Sequence, residues 1–118
     1  MPTETGSPER QISRGIVAIY KDYTGRGPAH ARTTISDECS TTIVRESLTK
    51  AEIKLVEKGE APTVRDMRRK FQEAMCDDIM QLVGTVTGRE TATMLSDHHP
   101  VDDLAVETVT FKRPVASD

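Results

Sequence analysis

Gly25-Arg26-Gly27-Pro28 is the stretch that decides the fold, because it ends an amphipathic helix and leads into the first strand. Before it, apolar side chains recur every three or four residues from Ile12 to Tyr23, the spacing of one helix face. Gly25 can adopt the left-handed conformation that terminates a helix, and Pro28 cannot continue one. The pattern predicts a first helix over residues 8–24.

Downstream of this turn, the sequence predicts a β-hairpin and then a short helix. Residues 29–36 and 40–46 are rich in Thr, Ile and Val, the composition of paired strands. Thr49 and Glu52 have the spacing of a capping box, in which each side chain satisfies the other residue's backbone amide. A second helix is therefore expected to begin at Thr49 and to end near residue 58.

The longest helix is predicted over residues 64–86, where apolar side chains again recur every three or four residues. The preceding Gly59-Glu60-Ala61-Pro62 is interpreted as a break, and Thr63 as the N-cap. Gly88 ends the helix. A second hairpin follows, with strands at 91–97 and 104–112 and a loop at 98–103.

The predicted element order is therefore α-β-β-α-α-β-β. A two-stranded ribbon is marginally stable by itself, so the two hairpins are expected to join in one four-stranded antiparallel sheet. With the helices on one face, the fold class is α+β, a two-layer sandwich. We expect one domain over residues 9–113, with disordered tails at 1–8 and 114–118. An uncovered sheet face or edge would then be a natural surface for a homodimer.

Composition narrows the function classes. The 118 residues carry a net charge of −3 and show no basic block, which argues against nucleic-acid binding. No apolar run approaches the roughly 18 residues that span a bilayer, and the first ten residues lack the apolar centre of a secretory signal. A cytoplasmic protein is expected. Cys39 and Cys76 lie in no metal-ligand pattern and are interpreted as free thiols.

The order and spacing of these motifs resemble the MpsC-like family. They are Gly25-Arg26-Gly27-Pro28, Ser47-Leu48-Thr49-Lys50-Ala51-Glu52, the helix opening Val64-Arg65-Asp66-Met67-Arg68-Arg69-Lys70, and Val86-Thr87-Gly88-Arg89 leading to Ser96-Asp97. The resemblance covers about residues 9–113.

This family is associated with a bacterial sodium-translocating, membrane-potential-generating system. The resemblance implies a non-enzymatic accessory role beside a large ion-translocating membrane subunit linked to cation or inorganic-carbon transport. It implies no catalytic residue and no cofactor. A position peripheral to the inner face of the cell membrane would suit that role.

Arg68 is the residue that departs most clearly from the apolar pattern, because it lies on the helix face predicted for the core. A buried unpaired charge is costly, so this guanidinium needs a partner. One interpretation is that Arg68, with Arg26, Arg65 and Arg69, binds an anion or a partner's carboxylate. The other is that Arg68 pairs inside the protein with an Asp or Glu, or reaches solvent at the margin of the core.

Two further functions stay open as alternatives. One is a regulatory domain that senses a small anion through Arg68 and Arg26. The other is a metal-dependent enzyme that uses the 97–103 segment. Its possible ligands are His98, His99 and Asp102, with Asp97 and Asp103 beside them. A solvated loop is the simpler interpretation of that segment.

Overall fold

The computed structural model describes residues 6–113 and confirms the predicted α+β class and the predicted element order. The predicted tail residues 1–5 and 114–118 lie outside the described residues. The elements are α1 Pro8–Thr24, β1 His30–Ile35, β2 Cys39–Arg45, α2 Lys50–Glu57, α3 Ala61–Thr87, β3 Thr91–His99 and β4 Leu104–Phe111.

Helix α1 begins and ends as its sequence predicts. The Ser7 hydroxyl accepts a hydrogen bond from the Arg10 amide, and Pro8 occupies the first turn, where no amide hydrogen is needed. Gly25 has a φ of 85°, and its amide donates to the Lys21 carbonyl. This left-handed residue is the helix stop expected from the decisive stretch.

The four strands form one antiparallel sheet in the order β1-β2-β4-β3. Alternate side chains of the two central strands are buried, as the period of two requires for a sheet covered on one face. Helices α1 and α3 pack on that inner face. The outer face carries no helix among residues 6–113, and strands β1 and β3 form the two edges of the sheet.

Helices α1 and α3 approach closely at Gly15. A Cβ atom added there would lie 2.5 Å from the Leu82 side chain, so a larger residue at this crossing would require Leu82 to move. The core beneath consists of aliphatic side chains from α1, α3 and the inner sheet face, together with Tyr20, Met75 and Phe111. Tyr23 on α1 also donates a hydrogen bond to Asp78 on α3, at 2.7 Å.

The start of α3 corrects one prediction. The helix begins at Ala61, with Glu60 as N-cap and Pro62 in the first turn, whereas the sequence predicted a break there and a cap at Thr63. Proline is tolerated in the first turn because the amide that it lacks would have no partner inside the helix. The Thr63 hydroxyl instead donates to the Glu60 carboxylate at 3.1 Å.

The second hairpin corrects another prediction, the extent of its loop. Strand β3 extends through His99, so the predicted loop at 98–103 shrinks to residues 100–103. The extension follows from the inner face, because His98 is buried on it opposite Ala105. Asp103 closes the turn with a φ of 49°, a conformation that Asp tolerates better than most residues.

Candidate functional site

Arg68 is the centre of a buried polar network. The Arg68 residue is 1% exposed, and its Nε and Nη2 atoms donate to the two carboxylate oxygens of Glu52 at 2.9 and 2.6 Å. Nη2 also donates to the Ser47 carbonyl at 2.7 Å. This two-pronged geometry is the strongest that a guanidinium and a carboxylate form. Of the two interpretations of Arg68, the structure contains the internal pair.

Glu52 links that pair to the start of α2. Its Oε1 atom accepts hydrogen bonds from the amide and the hydroxyl of Thr49, which completes the predicted capping box. Burial by itself would raise the pKa of the Glu52 carboxyl. The hydrogen bonds from Arg68 and Thr49 outweigh burial and hold that pKa below its ordinary value.

Three side chains fix the connection between β2 and α2. The Arg26 Nη1 atom donates to the Leu48 carbonyl at 2.9 Å, and Arg68 holds the preceding carbonyl, that of Ser47. The Asp103 carboxylate accepts from the amides of Ser47 and Leu48 at 3.1 and 3.2 Å. Two of the four predicted site arginines, Arg26 and Arg68, therefore hold the same short backbone segment.

Asp103 lies against His98, with 3.7 Å between its Oδ1 atom and the Nε2 atom of the imidazole. Burial alone would raise the pKa of the Asp103 carboxyl. The neighbouring His98 and the amides of Leu48 and Ser47 outweigh burial and lower that pKa. The ionised carboxylate is thus the form that the fold stabilises.

We expect Asp103→Ala to lower the free energy of unfolding by about 1–3 kcal/mol at neutral pH, because two backbone amides lose their acceptor. The loss should shrink on acidification, since the depressed pKa makes the Asp103 contribution disappear as pH falls through its folded value. Urea unfolding at several pH values measures both effects. Asp102→Ala, at the exposed neighbouring position, is the matched control and should change stability by less than about 0.5 kcal/mol.

Glu107 on β4 forms the second part of the buried network. It is 1% exposed and accepts hydrogen bonds from Tyr20 on α1, Gln72 on α3 and Ser96 on β3. Burial raises the pKa of its carboxyl above the ordinary value, although the three donors counteract part of that rise. Burial and the Glu107 charge also raise the pKa of Tyr20.

The network keeps some hydrogen-bonding capacity unused. Among residues 6–113, the buried side-chain nitrogens without a hydrogen-bond partner are Nη1 of Arg68 and both ring nitrogens of His98. Most buried polar atoms in proteins are satisfied, so this cluster departs from the usual pattern. The buried network as a whole includes charged or polar side chains from α1, α2 and α3 and from the β3–β4 hairpin.

Above this network, an open groove of about 300 Å³ runs between α3 and the edge strand β3. Gln72 and Ser96 line the groove and also bind Glu107, so its floor is in direct contact with the buried network. The remaining lining residues combine charge with sulfur and aliphatic atoms; they are Arg69, Glu73, Cys76, Met94 and Leu95.

The other two predicted arginines lie at this groove. Arg69 is exposed and lines it, and the exposed Arg65 lies one turn earlier, with its Nη2 atom 3.4 Å from the Asp97 carboxylate on β3. The four predicted arginines therefore divide into two pairs. Arg26 and Arg68 are half-buried and buried, and they hold backbone carbonyls. Arg65 and Arg69 lie on the surface beside β3. Whether any of them binds an anion or a partner stays a prediction.

The possible metal ligands do not converge. Because successive side chains of a strand point to opposite faces, His98 is buried on the inner face, while His99 is exposed and lies 3.6 Å from Asp102. Within the described range 6–113, no three His, Cys, Asp or Glu side chains form a group able to hold a metal ion. Cys39 and Cys76 are free thiols, and burial raises the pKa of Cys76.

Sequence reasoning did not select Glu107, Tyr20, Gln72 or Glu52 as network residues. A signal for Glu107 was present, because Ala105, Val109 and Phe111 share its parity along β4 and all are buried. A carboxylate at that register position requires donors on the opposing helices. No comparable local signal marks Gln72, whose role depends on the packing of α3 against β3.

Fold and site together define a small two-layer α+β protein with an ionisable interior and a helix–strand groove. The chain belongs to the MpsC family, described as "Na+-translocating membrane potential-generating system (MpsC)", whose model matches residues 4–113. The predicted family resemblance is thereby confirmed. No curated protein and no solved structure matches the chain. In the described part of the chain, no helix is both long and apolar enough to cross a membrane.

Proposed function

We propose that this protein is a non-enzymatic accessory domain of a bacterial Na⁺-translocating, membrane-potential-generating system. The observation that carries the proposal is the family match over nearly the whole chain. The domain would act at the cytoplasmic side of the membrane, as a homodimer, by docking onto the ion-translocating membrane subunit.

The α3–β3 groove is the docking surface that we propose for the membrane subunit. Strand β3 is an edge of the sheet, and an edge strand offers backbone donors and acceptors to an added segment. Arg69 lines the groove, and its planar guanidinium group suits a carboxylate of an acidic segment; Arg65, one turn earlier, contacts Asp97 and would bind such a segment by exchanging that partner. The partner segment would therefore be extended and acidic.

Charge reversal at the groove tests this proposal. We expect Arg69→Glu to reduce recovery of the ion-translocating subunit by tenfold or more. The cation that attracts the carboxylates of the acidic segment would become a carboxylate that repels them. The measurement is affinity capture of the tagged protein from native membranes in mild detergent, followed by quantification of that subunit by mass spectrometry. A membrane-potential dye in cells that depend on the variant should show a parallel loss.

Lys70→Glu is the matched control. Lys70 is exposed on the same helix, but at 100° per residue it points away from the groove. Lys70→Glu makes the same change from a positive to a negative charge as Arg69→Glu, and it should leave recovery of the ion-translocating subunit unaltered. Equal recovery with Arg69→Glu and with the unmodified protein would refute docking at the groove. Failure to recover the subunit with any form would refute the accessory role.

The two alternative functions gain less from the geometry. An anion sensor would need Arg26 and Arg68, yet both guanidinium groups already donate to backbone carbonyls. A metal-dependent enzyme would need ligands of the 97–103 segment that instead lie on opposite faces of β3 or in its turn. Native mass spectrometry of the purified protein, with and without added zinc or phosphate, would detect either ligand.

A further inference from the structure

The outer face of the sheet is a surface that the helices of residues 6–113 leave uncovered. Registers between strands align its side chains in rows that cross all four strands. The first two rows, written in the order β1-β2-β4-β3, are His30-Arg45-Leu104-His99 and Arg32-Ile43-Val106-Asp97; the next is Thr34-Thr41-Thr108-Leu95.

The middle of this outer face is apolar. Ile43, Leu104 and Val106 lie on the two central strands, and the next row continues with Thr41 and Thr108. Leu95, on β3, is 63% exposed and continues the apolar surface to the edge. An exposed apolar surface that is bordered by polar residues is typical of an interaction site.

Charges of opposite sign occupy the two sides of the outer face. Arg32 and Arg45 lie on β1 and β2, and neither has an ion-pair partner between residues 6 and 113. Asp97 lies on β3 at the far end of the Arg32 row. Its side chain is 71% exposed, and its carboxylate also contacts Arg65 on α3, at 3.4 Å across the edge of the sheet. The face therefore carries two arginines on one side, apolar side chains in the middle and a single carboxylate on the other.

We infer that the outer face binds a second copy of this chain, face to face, about a two-fold axis parallel to the strands. Such an axis exchanges the two edges of the sheet, so β1 of one copy lies over β3 of the other. Arg32 of each copy then meets Asp97 of its partner, and Ile43 meets Val106. The ion pair and the apolar contact each form twice, as an isologous interface requires.

The charge pattern selects this axis over the other in-plane choice. A two-fold axis perpendicular to the strands would place β1 over β1 and bring the cationic sides together. Like charges across an interface are unfavourable, whereas complementary ones fix the register. Two stacked sheets usually cross at about −30°. This angle is small enough for the central rows of the two copies to stay in contact.

The interface area predicts a weak, concentration-dependent dimer. Four strands about 4.8 Å apart and seven residues long, at roughly 3.4 Å each, present about 450 Å² per copy. Stable complexes bury about 800 Å² per partner, so we expect a dissociation constant in the micromolar range. This inference takes up the homodimer of the proposed function and adds its surface and symmetry. Self-association is measured in purified protein without the membrane subunit, so this inference can fail without the docking proposal failing.

A charge-exchange experiment in purified protein tests the surface and the axis together. We expect Arg32→Asp alone, and Asp97→Arg alone, to weaken self-association by tenfold or more, because each homodimer would contain two repulsive contacts. Mixing the two variants should restore dimerisation, since both contacts in the heterodimer are again between opposite charges. Sedimentation velocity over a concentration series measures the affinities, and native mass spectrometry distinguishes the heterodimer from the homodimers.

Two controls keep the result interpretable. Lys70→Asp, a charge reversal on α3, should dimerise like the unmodified protein, and thermal unfolding should show that every variant is folded. A protein that stays monomeric at hundreds of micromolar, well above the expected dissociation constant, would overturn the inference. Single variants that self-associate normally, or a mixture that does not recover, would overturn it as well.

Discussion

Arg68→Met is expected to lower the free energy of unfolding by about 3–5 kcal/mol at neutral pH, the usual cost of removing one member of a buried ion pair. The Glu52 carboxylate would stay buried without its counter-ion, and the Ser47 carbonyl would lose its donor. Urea unfolding followed by circular dichroism measures the change.

A double-variant cycle separates the ion pair from general packing. Glu52→Gln keeps the capping function, because Gln also serves in a capping box, but it leaves Arg68 uncompensated. The combined variant should be more stable than the sum of the two single losses predicts, by roughly 1–3 kcal/mol. Arg69→Met, exposed and adjacent, is the matched control and should cost less than about 0.5 kcal/mol.

Acid titration adds an independent signature. The pKa of Glu52 is lowered in the fold, so its contribution is present above the unfolded value and disappears as pH falls through the folded value. Arg68→Met should therefore show a weaker loss of stability on acidification than the unmodified protein. A variant that keeps its melting temperature but no longer binds the membrane subunit would contradict the structural role and support the binding interpretation of Arg68.

Most of the fold could be predicted from sequence because its boundaries are local. Gly25 ends α1 and Thr49 starts α2 by interactions within one turn, so nearby residues suffice to predict them. One predicted boundary, the start of α3, was wrong because its local signal was ambiguous. The other, the end of β3, was wrong because a distant contact determines it. Pro62 can break a helix or open one, and β3 continues through His98 because that side chain is buried in the core.

The site was less accessible to sequence reasoning because its partners come from different elements. Helical spacing placed Arg68 on the core face, and burial of a charge then required a partner. Which of 19 acidic residues supplies it depends on how α2 packs against α3, a contact that no spacing encodes. The network around Glu107 depends in the same way on the packing of α1 and α3 over β4.

The groove and the buried network are joined through shared residues. Gln72 donates to the Asp97 carbonyl on β3 and also to Glu107 in the interior, at 3.0 and 3.1 Å. A segment bound along β3 would therefore contact the residue that holds the Glu107 carboxyl. The Glu107 carboxyl and the proposed docking surface therefore share a hydrogen-bonding residue.

Glu107→Leu is expected to destabilise the protein by about 2–4 kcal/mol, because the Tyr20 and Ser96 hydroxyls lose a buried acceptor and Gln72 loses one of its two. Glu107→Gln should be tolerated. Its amide oxygen can accept from Tyr20 and Gln72, which share one carboxylate oxygen, while its amide nitrogen can donate to Ser96. Thermal unfolding of both variants measures this contrast.

The pH dependence of Glu107→Gln gives the sharper test. The Glu107 pKa is raised in the fold, so its favourable contribution is complete below its unfolded value, near 4.5, and disappears as pH rises through the folded value. Gln does not titrate. The two proteins should therefore have similar stability in acid, and Glu107→Gln should become the more stable one as pH rises. A stability difference that is constant from acid to alkaline pH would show that Glu107 does not titrate abnormally, and a Gln variant as unstable as the Leu variant would show that the network requires the charged carboxylate.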